Sequence, residues 1–407
     1  MSSQGERLDI VVYGATGFAG ELIARYLVER YADSDLRWAL AGRRHEKLEA
    51  MRARLGAEIP IIVANSTDRE SLDEMAAKTK VVLTTVGPYA KYGTELVSAC
   101  IAQGTHYCDL TGELQFVRRM IDAHHEAAAN AGVRIVHCCG FDSIPSDLGT
   151  WLLNDELIKL DGAPADAARY FMLGGNGGFS GGTVASLLNI IEEASDPLVR
   201  RVLGNPYSLN PDGERSGPDG QTQATVKKDP VTGWWSGPFL MAPINERVVR
   251  RSNALLDFRY GRQFEYGESV RTGSGVLGAI AAGALTAGMG AMFGAVAFAP
   301  TRRLLTNTIL PAPGEGPSEK VMENGFFKVA ISGRRDGREV GRVIVTSQRD
   351  PGYGATACMI AESALCLARD PLDTPGGILT PAAAMGGALI ERLDRQDVQF
   401  HFEARTT

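Results

Sequence analysis

The chain is poor in cysteine, with six in 407 residues. Cys138 and Cys139 are adjacent, and Cys358 and Cys366 fall about 12 Å apart along one predicted helix, so neither pair bridges easily. No C-x-x-C occurs, and His124-His125-Glu126 lacks the spacing that sets two histidines on one helix face. No metal site is expected. Basic runs are also missing: 42 Lys and Arg stand against 48 Asp and Glu, for a formal charge of −6, which speaks against nucleic acid as a partner. The first residues are polar and lead straight into a strand-like segment, leaving no room for the apolar stretch of a signal peptide. A cytoplasmic protein is expected.

Charge itself disappears between Arg271 and Arg302, where residues 272–301 are dominated by Ala and Gly. The length suffices for a membrane span, but Leu, Ile and Phe are few. Three readings stay open: a buried or dimer-interface helix pair, an interfacial or embedded membrane anchor, or a flexible loop. The expectation is a protein recovered mainly from the soluble fraction, with this segment packed on its own second domain or on a twin subunit. Peripheral membrane contact is the alternative.

What is present is ordinary for a globular protein: 44% hydrophobic and 22% charged residues, in a chain long enough for two or three domains. From the start, short apolar runs alternate with helical periodicity, as parallel strands with crossovers require. Strands are predicted at 9–13, 37–41, 61–64, 81–86, 107–110 and 134–138. Leu22, Ile23, Tyr26 and Leu27 make the apolar stripe of the first helix, and helices follow at 44–55, 69–79, 94–103 and 116–130. After Gly140 the rhythm changes, with a glycine cluster at 173–183 and a helix predicted at 184–194. Residues 204–238 read as a long surface loop ending in Trp234-Trp235, which either docks on its own domain or receives an apolar substrate. A hairpin is predicted from 326–332 and 340–347 through Arg335-Asp336-Gly337-Arg338, then helices at 355–368 and 381–392.

Gly14-Ala15-Thr16-Gly17-Phe18-Ala19-Gly20 lies between a strand and a helix. There the free N–H groups and the helix dipole favour a pyrophosphate, and glycines admit it closely; the bland reading is a tight turn only. The second strand ends in Gly42-Arg43-Arg44, where an NAD enzyme would carry an acid against the ribose 2′-hydroxyl. Two guanidinium groups suit a 2′-phosphate instead, so NADP is expected, although solvated residues opening a helix would look the same. After the fourth strand, Thr85, Val86, Gly87 and Pro88 are expected to line the nicotinamide. Tyr89 and Tyr92, just beyond, either pack or donate a proton or hydrogen bond to developing negative charge. After the sixth strand Asp142 heads Asp142-Ser143-Ile-Pro-Ser146-Asp147, which either orients substrate or caps a helix.

The strings Tyr13 to Gly20, Thr85 to Tyr89, His106 to Glu113 and Gly140 to Asp147 resemble the saccharopine dehydrogenase-like oxidoreductases. The resemblance continues at Gly181-Gly-Thr183, Met241-Ala-Pro-Ile244, Asp350-Pro-Gly-Tyr-Gly-Ala-Thr356 and Leu379-Thr-Pro-Ala-Ala-Ala384. Within that family the chain is most similar to the mycobacterial trans-acting enoyl reductases, which serve polyketide synthases in lipid synthesis. The resemblance implies an α/β fold: a Rossmann-type parallel sheet domain (1–145), a second mixed α/β domain (146–350), and C-terminal helices (351–407) packing back on the first. It implies hydride transfer from NADPH to the double bond of an acyl or polyketide thioester, possible homodimerisation, and catalysis by Tyr89, Tyr92 and Asp142. A saccharopine-type amino-acid dehydrogenase would need a basic cluster, for which Arg247, Arg250 and Arg251 are the candidates. A non-catalytic NADPH-binding scaffold at a membrane or lipid surface is the third reading.

Overall fold

Six strands form where the alternation predicts them: β1 (Leu8–Tyr13), β2 (Trp38–Gly42), β3 (Ile61–Val63), β4 (Thr79–Thr84), β5 (His106–Asp109) and β6 (Arg134–Val136). The computed structural model describes residues 7–176, 186, 188–190, 192–298, 300–301 and 324–405. Further strands are β7 (Ala167–Asn176), β8 (Lys227–Lys228), β9 (Trp235–Gly237), β10 (Glu265–Gly273), β11 (Phe326–Arg335), β12 (Arg338–Ser347), β13 (Gly377–Leu379) and β14 (Val398–Ala404). They make two seven-stranded sheets. The first runs β13-β6-β5-β4-β1-β2-β3 and is parallel throughout. Its order reverses between β1 and β4, which opens a crevice beyond their carboxyl ends. The second runs β14-β12-β11-β7-β10-β9-β8 and is mixed, with β7 and β10 its parallel pair.

The two sheets share one apolar core. Ile10, Val12 and Leu83 of the first sheet and Ile331, Val343 and Val345 of the second belong to one buried cluster. It is bridged by Ile144, Leu148, Leu153 and Leu157 of the helix Ile144–Asp161, which is buried on more than one side, and by the helix Gly354–Arg369. Each such side chain contributes about 1.5–3 kcal/mol by leaving water. The helix Gly354–Arg369 packs against β1, β4 and β5 and against the helix Phe18–Tyr31. Its buried Glu362 accepts from Tyr26 at 2.8 Å and Tyr31 at 2.6 Å. This is the C-terminal helix returning to the first sheet.

Several details differ from the sequence reading. The helix predicted at 381–392 is broken at Met385 into Pro381–Ala384 and Gly386–Asp394, where Gly386 has φ 44°. The expected hairpin turn forms with Asp336 at φ 51° and Gly337 at φ 74°, the left-handed pair that matches strand twist. Trp234 is docked, its ring edge-on to Phe171 at 5.3 Å with the Arg271 guanidinium 4.5 Å from its centre. The glycine cluster from 177 onward, and part of the helix predicted at 184–194, lie outside the described residues.

The uncharged stretch is the largest departure. It forms one unbroken helix, Gly275–Ala297, rather than a helix pair or a loop. Its own domain does not bury it: Val276, Leu277 and Ile280 are 75%, 81% and 63% exposed.

Candidate active site

The crevice between β1 and β4 is built by backbone approach. Gly14 has φ 88°, and a Cβ there would meet Thr85 Oγ1 and Val86 Cγ2 at 2.8 Å. Thr85 N–H donates to Tyr13 O at 3.0 Å and its hydroxyl to Gly14 O at 3.2 Å, so the two loops are tied together. A Cβ on Gly20 would lie 2.8 Å from Ala15 Cα, so the helix can start this close to the loop only with glycine. Gly17 caps the helix Phe18–Tyr31 with no side-chain bond, and the first turn bonds from Glu21 N–H to Gly17 O. The N–H groups of Phe18, Ala19 and Gly20 therefore have no acceptor inside the helix. A Cβ on Gly17 would meet only Gly14 O, at 3.3 Å, so its outer side opens on free space. Thr16 is exposed beside it. These features fit a pyrophosphate.

Arg43 and Arg44 are both exposed at the end of β2, and neither makes an ion pair or hydrogen bond among the described residues. Gly42 does not require glycine on the protein side, since a Cβ would meet Leu48 at an ordinary 3.6 Å. Sequence reading missed Ser66, which with Arg43 acts on the Tyr13 phenol. Burial pushes that phenol up to about 12, against the opposing pull of Ser66 and Arg43.

The loop Thr85, Val86, Gly87, Pro88 continues into the short helix Tyr89–Tyr92, with a cis bond between Gly87 and Pro88. Glu113, fully buried, holds that turn: its carboxylate accepts from Tyr89 N–H at 2.8 Å, Ala90 N–H at 3.0 Å and the Ser186 hydroxyl at 2.9 Å. Burial raises its pKa despite those three donors. Tyr89 and Tyr92 part company here. Tyr89 is buried, its hydroxyl donating to Thr84 O and accepting from Leu110 N–H, both at 3.3 Å. Burial, then the Asp109 carboxylate, holds that phenol well above its ordinary range. Tyr92 is 39% exposed.

Asp109 ties the next two loops together. It accepts from Tyr107 OH at 2.8 Å, His137 Nδ1 at 2.7 Å, Thr111 N–H at 3.0 Å and Cys138 N–H at 3.1 Å. Beyond Cys138, whose φ of 65° turns the chain out of β6, comes Asp142. Its Oδ2 lies 3.7 Å from where a Cβ on Gly112 would sit, and burial pushes its pKa up to about 6.

The neighbouring Ser143 meets Asn245 at 3.2 Å, and Asn245 donates to Glu268 at 2.9 Å, which also accepts from Tyr266 at 2.8 Å. Burial pushes Glu268 up to about 8, against the bonds from Asn245 and Tyr266. The buried Tyr170 phenol feels both Glu268 and Asp142. Asn245, Tyr170 and Glu268 come from the second domain and carried no signal in the sequence, because β7 and β10 themselves were not foreseen.

The three arginines proposed for an amino-acid substrate are committed elsewhere. Arg247 donates to the carbonyls of Asn205, Pro243 and Leu203, and Arg251 to those of Leu209 and Ile378. Arg250 pairs with Asp219 at 2.7 Å and Glu246 at 3.4 Å. A cavity of about 390 Å³ on the second sheet is lined by paired charges, Arg169 with Glu265 and Arg334 with Asp229, and by the exposed Lys227 and Lys228. No glycine-loop residue lines it.

A glycine cradle at the switch point of a parallel sheet defines an NADP-dependent oxidoreductase. Residues 10–136 match the saccharopine dehydrogenase NADP binding domain family. Over its whole length the chain is 43% identical to a trans-acting enoyl reductase of Mycobacterium tuberculosis, across 97% of each chain. It is 40% identical to a trans-acting enoyl reductase of Mycobacterium ulcerans, across 98% of each. Saccharopine dehydrogenase (L-Glu forming) of Saccharomyces cerevisiae shares the fold, with a TM-score of 0.52 at 14% identity over 99% of this chain and 100% of that one. The chain belongs to the saccharopine dehydrogenase-like trans-acting enoyl reductases.

Proposed function

We propose that the chain reduces the carbon–carbon double bond of an acyl or polyketide thioester, presented by a separate synthase, at the expense of NADPH. The observation that carries this over an amino-acid substrate is the commitment of Arg247, Arg250 and Arg251, the candidates for holding a dicarboxylate, to carbonyls and buried acids. NADPH, when bound, supplies a hydride to the β-carbon. The glycine loop and the N–H groups of Phe18, Ala19 and Gly20 hold the pyrophosphate, Arg43 and Arg44 the 2′-phosphate, and Thr85 to Pro88 the nicotinamide side.

Reduction leaves an enolate whose oxygen needs hydrogen-bond donors and whose α-carbon needs a proton. With the Tyr89 hydroxyl tied to backbone on both sides, its part is to hold the loop. The donors we assign are Tyr92 and Asp142. A carboxyl raised to about 6 keeps a protonated fraction near neutrality that an ordinary aspartate lacks.

The test is NADPH oxidation with enoyl thioesters, free and carrier-bound, following the product's gain of two hydrogens by mass. Tyr92→Phe or Asp142→Asn should lower kcat by about a hundredfold, the usual scale for a lost general acid. NADPH binding without consumption on any enoyl thioester would instead support the non-catalytic scaffold.

A further inference from the structure

The helix Gly275–Ala297 has no polar face. Its 23 residues extend about 34 Å at 1.5 Å per residue. Thr286 supplies its sole hydroxyl, which turns back to the Ala282 carbonyl at 2.8 Å.

One stripe touches protein: Gly278 and Ala282 are buried, and Leu285 lies over Gly237, against β9 and β10. Opposite that stripe stand the exposed Val276, Leu277 and Ile280. Three turns on, Met292 and Phe293 straddle the line that faced the sheet, since adjacent residues are about 100° apart. They are nevertheless 40% and 41% exposed, while Val296 on that line is 5% exposed, so the covered stripe is narrow in the last turns. A helix apolar on all sides belongs in a core or in lipid, and among the described residues no core surrounds this one.

Topology decides how lipid could be met. β7 lies between β10 and β11, and Phe326, which opens β11, pairs with Asn176 at the end of β7. β10 is parallel to β7, so Gly273 at its end leaves the sheet at the edge where Phe326 re-enters. The segment therefore departs and returns on one side. Residues 298–325 contain Arg302, Arg303, Glu315, Glu319, Lys320 and Glu323, too charged for a second crossing. Phe298 and Phe326, 62% and 43% exposed, flank the returning chain.

We infer that this helix, with Phe298 and Phe326, docks the protein on a lipid bilayer, entering one leaflet without crossing it. A second copy is the weaker occupant: a two-fold contact covers one face and carries a polar rim, whereas this helix is apolar on every outward side. Lys227 and Lys228, exposed on the edge strand beside β9, offer positive charge to anionic headgroups. A bilayer is also where a long acyl product would partition.

The experiment is co-flotation of the full chain with vesicles of phosphatidylcholine and phosphatidylglycerol, followed by a high-salt wash. Wild type should float and stay bound after the wash, because apolar insertion is not screened. The double variant Leu277→Glu/Ile280→Glu should lose about tenfold or more of its vesicle-bound fraction, as charges resist burial in lipid. Unchanged NADPH binding shows that the variant is folded, so loss of docking is separable from loss of the enzyme. Wild type that does not float, or is stripped by salt, overturns the inference. So does a variant that floats equally, or one whose sole change is conversion of a dimer to a monomer.

Discussion

The proposed 2′-phosphate site rests on Arg43 and Arg44, two exposed side chains at the end of β2. Replacing both by Ser should weaken NADPH by about tenfold or more, some 1.4 kcal/mol, and leave NADH unchanged; calorimetry with the two nucleotides checks it. Gly17→Val places a branched side chain in the open space before the helix start. Dinucleotide binding should vanish while the melting temperature stays near that of the wild type. The buried acids predict a pH dependence of stability. Glu268 is raised from 4.5 to about 8, Asp147 from 3.8 to about 7 and Asp142 from 3.8 to about 6. Each folded-state pKa exceeds the unfolded one, so the fold binds these protons more tightly. Their stabilisation is complete below about pH 4 and is lost as pH rises toward 8. Glu268→Gln, which keeps a donor and cannot ionise, should flatten the melting temperature between pH 6 and 8. An unchanged slope there would mean that Glu268 is ionised in the fold.

At the scale of elements, six strands of the first sheet were legible as short apolar runs alternating with helical periodicity, whereas β13, three residues joining the edge from far along the chain, was not. The glycine loop was legible because its spacing and its place between strand and helix have a single geometric meaning. The hairpin of β11 and β12 was equally open, since Asp336-Gly337 needs the left-handed region that both residues adopt. Gly337→Val should cost about 1–2 kcal/mol in chemical denaturation, the usual penalty for a Cβ there. β7 and β10 were hidden: Ala167–Asn176 ends in two glycines and Glu265–Gly273 mixes Glu, Tyr and Arg. With them were hidden Tyr170 and Glu268, whose character comes from burial against partners more than twenty residues away. Glu113 stood in a recognised string, but its grip on the Tyr89 turn is a tertiary fact. The apolar helix was singled out, but the described residues of its own domain leave its outer side exposed, because periodicity reports a helix's faces and not what meets them.

On the scale of the whole molecule, the C-terminal segment is common to both sheets. β13 extends the first beside β6, β14 extends the second beside β12, and Arg251 reaches from the second domain to the Ile378 carbonyl in β13. A chain ending at residue 350 should therefore lose NADPH binding and unfold without cooperativity, read by nucleotide titration and a thermal melt. The same arrangement sets the order of events during synthesis. Translation delivers about 5–20 residues per second and domains usually fold as they emerge. Here the β1 to β6 sheet can form early, but its edge beside β6 stays bare, and the second sheet stays open beside β12, until the closing strands leave the ribosome. The nascent chain thus carries one uncapped edge from the completion of β6, joined late by the apolar helix and then by the open edge of β12, the interval in which a chaperone or a nearby membrane would find it.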